Sequence, residues 1–255
     1  MERELKQPLG KWRRWIWIIL VVFLLSLLAW GYSWASYARP PLDEALAALE
    51  SDKLVEVAAE PWLTFTPAGV EPATGLIFYP GGRVDPRGYA PLLREVALQG
   101  YLVVVPSMPL NMAAFDINAA AEIISAFPGI DRWAIGGHSV GGTMAAQYTH
   151  RNPGRIAGLV IWASYPADSA DLSSAEIPVS VIYGTLDLQA DPASVKERAG
   201  LLPPGTIYVP IEGGDHHQFG SYLIDPENDL AAISREDQQE QIVQATLDLL
   251  AAVDR

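Results

Sequence analysis

The sequence predicts an α/β domain with a doubly wound, mostly parallel sheet, preceded by one N-terminal transmembrane helix. Three observations carry that expectation. Strand-like and helix-like stretches alternate from about residue 74 to the last helix. Most of the strands are short apolar runs without alternation, as strands covered on both faces require. The 18 residues from Trp15 to Tyr32 contain no charged side chain.

Eighteen helical residues rise about 27 Å, enough to cross a hydrocarbon core. Trp12, Trp15 and Trp17 at one end, and Trp30, Tyr32 and Trp34 at the other, suit interfacial aromatic belts. Lys11, Arg13 and Arg14 precede the run. The expected partition is therefore a cytoplasmic basic tail over 1–14, a membrane anchor over 15–32, and an extracytoplasmic body. The alternative is a signal peptide cleaved before Arg39, because Ser36 and Ala38 are small. The length of the run and its flanking tryptophans favour the anchor. A buried core helix does not fit, since the run has no polar face.

Residues 33–53 read as a linker and a short helix. Pro40 and Pro41 stiffen the exit, and Leu42, Leu46 and Leu49 fall at helical spacing. Residues 54–255 read as one domain. Strands over 54–59 and 62–67 form an opening antiparallel pair. Then follow strand 74–80, helix 89–100 closed by Gly100, strand 101–107, and helix 113–128 ended by Pro128. Strand 131–137, helix 141–151, and strands 156–164 and 177–184 come next. Helix 191–200 has Asp191 as its N-cap and Pro192 in its first turn. Strand 206–211 and helix 235–253 close the chain.

Composition narrows the chemistry. The 255 residues include no cysteine, which excludes disulfides, thiolate metal sites and a cysteine nucleophile. Beyond residue 40 there are 11 basic and 28 acidic residues, a net charge of −17. A body that acidic repels nucleic acid and reads as a solubilising surface. No metal or organic cofactor is implied, and the sequence sets no oligomeric state.

The stretch GGHSVGG, residues 136–142, holds a serine at the spacing G-x-S-x-G between an expected strand and an expected helix. Gly137 and Gly141 remove side chains where a sharp strand-to-helix turn would clash, so Ser139 can stand exposed as a nucleophile. It falls on a middle strand, and no dinucleotide-binding glycine pattern fits it. Asp187 lies in the loop just past strand 177–184, where an acid could orient a histidine; Asp191 is accounted for by its cap role. His216 and His217 follow strand 206–211, and either could be the base. His138 would point away from the serine, and His150 lies on a helix surface. The loop YPGGRVDP, residues 79–86, brings glycines to the end of strand 74–80. There the backbone N–H of Gly82 or Arg83, together with that of Val140, would form an oxyanion hole.

These residues resemble the α/β-hydrolase superfamily, over about Leu54 to Val253. They look most like a small bacterial branch with GHS-x-GG at the turn and no large lid. In that branch the last loop reads Gly-Gly-Asn-His, a small residue, then Gln-Phe-Gly; here GGDHHQFG has Asp215 for the asparagine and His217 for the small residue. The resemblance implies Ser139 as nucleophile, Asp187 as acid and His216 as base. It implies acyl transfer to water, with a small-molecule acyl substrate. YPADSADLSSAE, residues 165–176, is too short for a helical cap. An acyltransferase using the same triad, or a binding module on the same fold, are the alternative functions.

Overall fold

In the computed structural model, which describes residues 9–255, the central strands are buried along nearly their whole length, because layers of helix cover both faces of one sheet. Helix α1 (Leu9–Ala35) comes first, followed by α2 (Asp43–Ala47), β1 (Val55–Ala58), β2 (Leu63–Pro67) and β3 (Thr74–Tyr79). Next are α3 (Ala90–Leu98), β4 (Leu102–Val105), α4 (Ala119–Ala126), β5 (Arg132–His138) and α5 (Val140–Arg151). Then β6 (Gly158–Trp162), β7 (Val179–Gly184), α6 (Pro192–Glu197), β8 (Ile207–Ile211) and α7 (Arg235–Val253) complete the chain. The strands form one sheet in the order β1-β2-β4-β3-β5-β6-β7-β8. Only β1–β2 and β2–β4 pair antiparallel; the remaining pairs are parallel. This is the mixed, doubly wound sheet expected from the alternation.

The chain divides after Tyr37 into a helical segment and a body spanning Ala38–Arg255. Within α1, Trp12–Ala35 has a mean hydropathy of 2.2, long and apolar enough to cross a membrane; a signal sequence would satisfy the same test. Residues 1–8 of the expected basic tail lie outside the described residues. The stretch read as a linker is docked on the body from Ala38 onward. Arg39 bridges to Val84, Pro41 bridges to Tyr222, and the Leu42 amide donates to the Ser221 carbonyl.

On β3, Leu76 and Phe78 pack with α3 and α7, while Ile77 and Tyr79 pack with α4 and α5. Trp162 at the end of β6 anchors the first layer: it is fully buried, its ring lies 4.5 Å from Phe78, and its indole N–H donates to Thr246 on α7. The expected helix over 113–128 is shorter. Two 3-10 turns occupy 109–111 and 113–115, and only α4 is α-helical. The cause is a tertiary tie: the Tyr79 hydroxyl donates to the Ile117 carbonyl and accepts the Ala120 amide, fixing that backbone to the sheet edge. Likewise α6 tightens to a 3-10 turn over Arg198–Leu201.

Strand order places the site. β4 lies on one side of β3 and β5 on the other, so the chain reverses its winding between β3 and β5. Ligands of open α/β sheets bind at the carboxyl ends of the strands at such a reversal. There the backbones of β3 and β5 approach closely. A Cβ on Gly141 would drive into the carbonyl oxygens of Tyr79 and Pro80, and one on Gly137 into the backbone of Gly141. Gly141→Ala is therefore expected to destabilise the body by roughly 2–3 kcal/mol through overpacking. Thermal unfolding of the detergent-solubilised chain measures it; an unchanged midpoint would show that the turn can relax.

Candidate active site

The strand-to-helix turn is strained where chemistry would use it. Ser139 sits between β5 and α5 with φ 53° and ψ −125°, a region that L-residues rarely occupy. Such conformations cost about 1–3 kcal/mol and persist only when the surroundings over-determine them. Here they do: the Ser139 amide donates to the Trp162 carbonyl at 3.0 Å, and its carbonyl accepts the Thr143 amide. The result lifts the Ser139 side chain to a half-buried position at the mouth of the sheet.

Asp187 follows β7 and is fixed at both carboxylate oxygens. Oδ1 accepts the Gln189 and Ala190 amides at 2.7 and 2.8 Å, and Oδ2 accepts from His216 Nδ1 at 2.8 Å. With its Nδ1 proton so engaged, His216 presents Nε2 as an acceptor, and the Ser139 hydroxyl lies 3.1 Å away. Asp187 and His216 are both buried, so water competes weakly for these bonds. The loop carrying His216 is held from behind. Asp215 accepts the amides of His217, Gln218 and Leu230, and its own amide and carbonyl are bonded by the Gln238 side chain on α7.

The structure thus brings Ser139, Asp187 and His216 together. His217 begins a 3-10 turn, stands edge-on to the His216 ring, and makes no hydrogen bond to Ser139 or Asp187. His138 is buried, and its ring nitrogens engage the Tyr89 hydroxyl and the His216 carbonyl rather than Ser139. The oxyanion assignment needs a correction. Arg83 has φ 57° and its amide donates to the Asn111 carbonyl at 2.8 Å, so it is turned away from the site. Gly82, the other residue expected to donate from this loop, makes no backbone hydrogen bond through its amide among the described residues. A Cβ there would come within 3.1 Å of the Val140 side chain, so this loop lies against the start of α5. The Val140 amide opens α5 and has no intrahelical acceptor. Among the described residues no group of His, Cys, Asp or Glu is arranged to hold a metal.

Two small cavities flank His216. One, of about 190 Å³, is lined by Ser139, Val140, Thr143, Tyr165, Gln189 and His216, among others. The second, of about 250 Å³, shares Gln189 and His216 and adds Leu186, Leu188 and Leu230. No helix stands over them between β6 and β7 among the described residues.

The model of the α/β hydrolase family matches residues 75–240, a span that runs from β3 through the His216 loop into α7. The chain belongs to that family. Solved α/β hydrolases share its architecture. A hydrolase from a lagoon-sediment metagenome of Mar Chica, Morocco, superposes with a TM-score of 0.58 at 17% identity, over 79% of this chain and 99% of that one. Carboxylesterase CesB of Bacillus subtilis gives 0.56 at 14% identity, over 86% and 97%. A predicted CIB-like hydrolase of Thermoplasma acidophilum gives 0.52 at 18% identity, over 77% and 96%. No curated protein matches the sequence.

Sequence reasoning missed Tyr89, Gln238 and Asn111, which hydrogen-bond to His138, Asp215 and Arg83 beside the candidate residues of this α/β hydrolase. None lies in a motif; each reaches the site only through tertiary packing.

The buried histidines give the body an acid-sensitive stability. Burial, and secondarily the neighbouring His216, hold His138 well below its ordinary value of 6.5 and lower His217 as well. The unfolded chain binds these protons near 6.5, whereas the folded chain resists them. Stability is therefore full above about pH 6.5 and is lost as pH falls below it, by up to about 1.4 kcal/mol per pH unit for each histidine. Unfolding midpoints between pH 8 and pH 5.5 test this; a flat profile would contradict it. The depressed surface carboxylates Asp171 and Asp191 act only at lower pH.

Proposed function

We propose that this protein is a membrane-anchored serine carboxylesterase. The observation that carries the proposal is the unbroken hydrogen-bond line from Asp187 through His216 to the Ser139 hydroxyl, at 2.8 and 3.1 Å. His216 Nε2 takes the hydroxyl proton as Ser139 Oγ attacks the ester carbonyl. The Gly82 and Val140 amides hold the resulting oxyanion. Asp187 keeps the His216 tautomer and stabilises the imidazolium. Collapse breaks the bond to the alkoxide, which takes the proton from His216. Water, activated by the same nitrogen, then releases the acid and restores Ser139.

The cavities suggest the ester. A space of about 190 Å³ beside Ser139 is smaller than a typical ligand pocket and suits a short acyl group. The neighbouring cavity shares His216 and is bordered by Leu186, Leu188 and Leu230 together with Glu227 and Asn228, a mixed surface that could take the alcohol portion.

Ser139→Ala and His216→Ala are each expected to lower nitrophenyl acetate hydrolysis by at least about a thousandfold, with His217→Ala losing less than about tenfold. Mass spectrometry after fluorophosphonate treatment should find the adduct on Ser139. Adduct formation without hydrolysis, or with transfer to an added alcohol, would favour an acyltransferase. No adduct would leave a binding module.

For the anchor, full-length protein is expected to sediment with membranes, and protease added to spheroplasts should digest the body. Recovery of a soluble chain beginning near Arg39 would instead establish a cleaved signal.

A further inference from the structure

We infer that Tyr89 and His138 are positioning residues: a buried hydrogen-bond line through them ties the oxyanion loop to the base. The inference rests on the esterase reading above and extends it to two residues that touch no reacting atom.

The direction of the line follows from counting protons. The His216 carbonyl lies 3.1 Å from His138 Nε2 and can only accept, so the proton of His138 sits on Nε2. A neutral imidazole protonated there presents Nδ1 as an acceptor. The Tyr89 hydroxyl lies 2.9 Å from Nδ1 and supplies its proton. The tyrosine oxygen in turn accepts the Gly81 amide at 3.0 Å. Gly81 amide, Tyr89 hydroxyl, His138 ring and His216 carbonyl thus run donor to acceptor in one sense. Tyr89 and His138 are both at most 1% exposed, so no water offers an alternative partner.

What the line connects gives it a purpose. Gly81 directly precedes Gly82, the loop donor to the oxyanion. His138 directly precedes Ser139. His216 is the base. These three come from the ends of β3 and β5 and from the loop after β8. Packing holds the line in place. Phe219 stacks on the His138 ring at 5.6 Å and 12°, and the His138 and His216 rings lie 4.7 Å apart. A Cβ on Gly81 would come within 2.7 Å of both His138 Nδ1 and the Tyr89 hydroxyl, so the loop is seated directly on the pair.

Stability alone does not call for this arrangement. An apolar pair of the same shape can replace a buried hydrogen-bonded pair at little net change. A polar line instead fixes distances between elements that packing alone leaves loose, and acyl transfer is sensitive to such distances. A displacement of about 1 Å can slow a reaction by roughly a hundredfold.

The test uses full-length protein in detergent, with steady-state hydrolysis of nitrophenyl acetate, the rate of fluorophosphonate labelling, and thermal unfolding. Tyr89→Phe removes one oxygen and keeps the ring. His138→Phe keeps the stack on Phe219 and removes both polar contacts; His138→Gln keeps a donor for the His216 carbonyl. Tyr89→Phe and His138→Phe should lower kcat roughly 10- to 100-fold, with KM changed less than about threefold and labelling slowed in step. His138→Gln should recover most of kcat. The double variant Tyr89→Phe/His138→Phe should be no slower than the slower single one, because both break the same line. A folded Tyr89→Phe with kcat within about threefold of wild type, a loss expressed in KM alone, or no rescue by glutamine would each overturn the inference. Because Tyr89→Phe removes a single atom, it carries the test should His138→Phe fail to fold. Absence of wild-type labelling at Ser139 would overturn the esterase reading, and the inference with it.

Discussion

The close approach of two backbones at the carboxyl edge of the sheet is the constraint on which the rest depends. The end of β3 and the start of α5 lie so near each other that Gly137 and Gly141 leave no room for a side chain. That contact forces the reversal of direction at Ser139 and puts the residue in its strained conformation. It also sets the first turn of α5 beside the loop after β3, where a Cβ on Gly82 would come within 3.1 Å of the Val140 side chain. The surrounding elements serve this edge. Trp162 and Phe78 fill the layer beneath it, and the Trp162 carbonyl receives the Ser139 amide.

Much of this was legible in the sequence, and the reasons are local. Apolar runs of strand length separated by capped helices encode the layering. Glycines flanking a serine encode the turn. Asp191 before Pro192 encodes a cap, and its carboxylate does accept the Ala193 and Ser194 amides. The places where reading failed are those decided by tertiary contact. A helix is expected from residue 113, but the Tyr79 hydroxyl ties the backbone at Ile117 and Ala120, and the helix begins only at Ala119. Gly82 and Arg83 were equivalent in sequence. Only the folded loop shows that the Arg83 amide is taken by Asn111, a partner 28 positions away that itself adopts a left-handed backbone.

Charge and architecture divide their roles cleanly. The acidic excess is carried at the surface, while the groups that meet at Ser139 form a short buried chain with few formal charges. Asp187 is the buried carboxylate at its centre, and two amides and an imidazole surround it. Asp215 has a comparable three-donor setting but is used to shape the loop: one oxygen accepts the His217 and Gln218 amides and the other the Leu230 amide.

The setting of Asp187 has a consequence for what else that position could hold. Every neighbour of its carboxylate is a donor: two amides on one oxygen and a ring N–H on the other. An asparagine has the same shape but one oxygen and one NH2. Turned either way, it would face a donor with a donor. If the NH2 met the imidazole, the ring would have to move its proton to the nitrogen that faces Ser139. If it met the loop, two amides would lose their partner. The site is therefore selected for an acceptor on both faces, a demand of lone-pair count that would persist even if the negative charge were supplied from elsewhere.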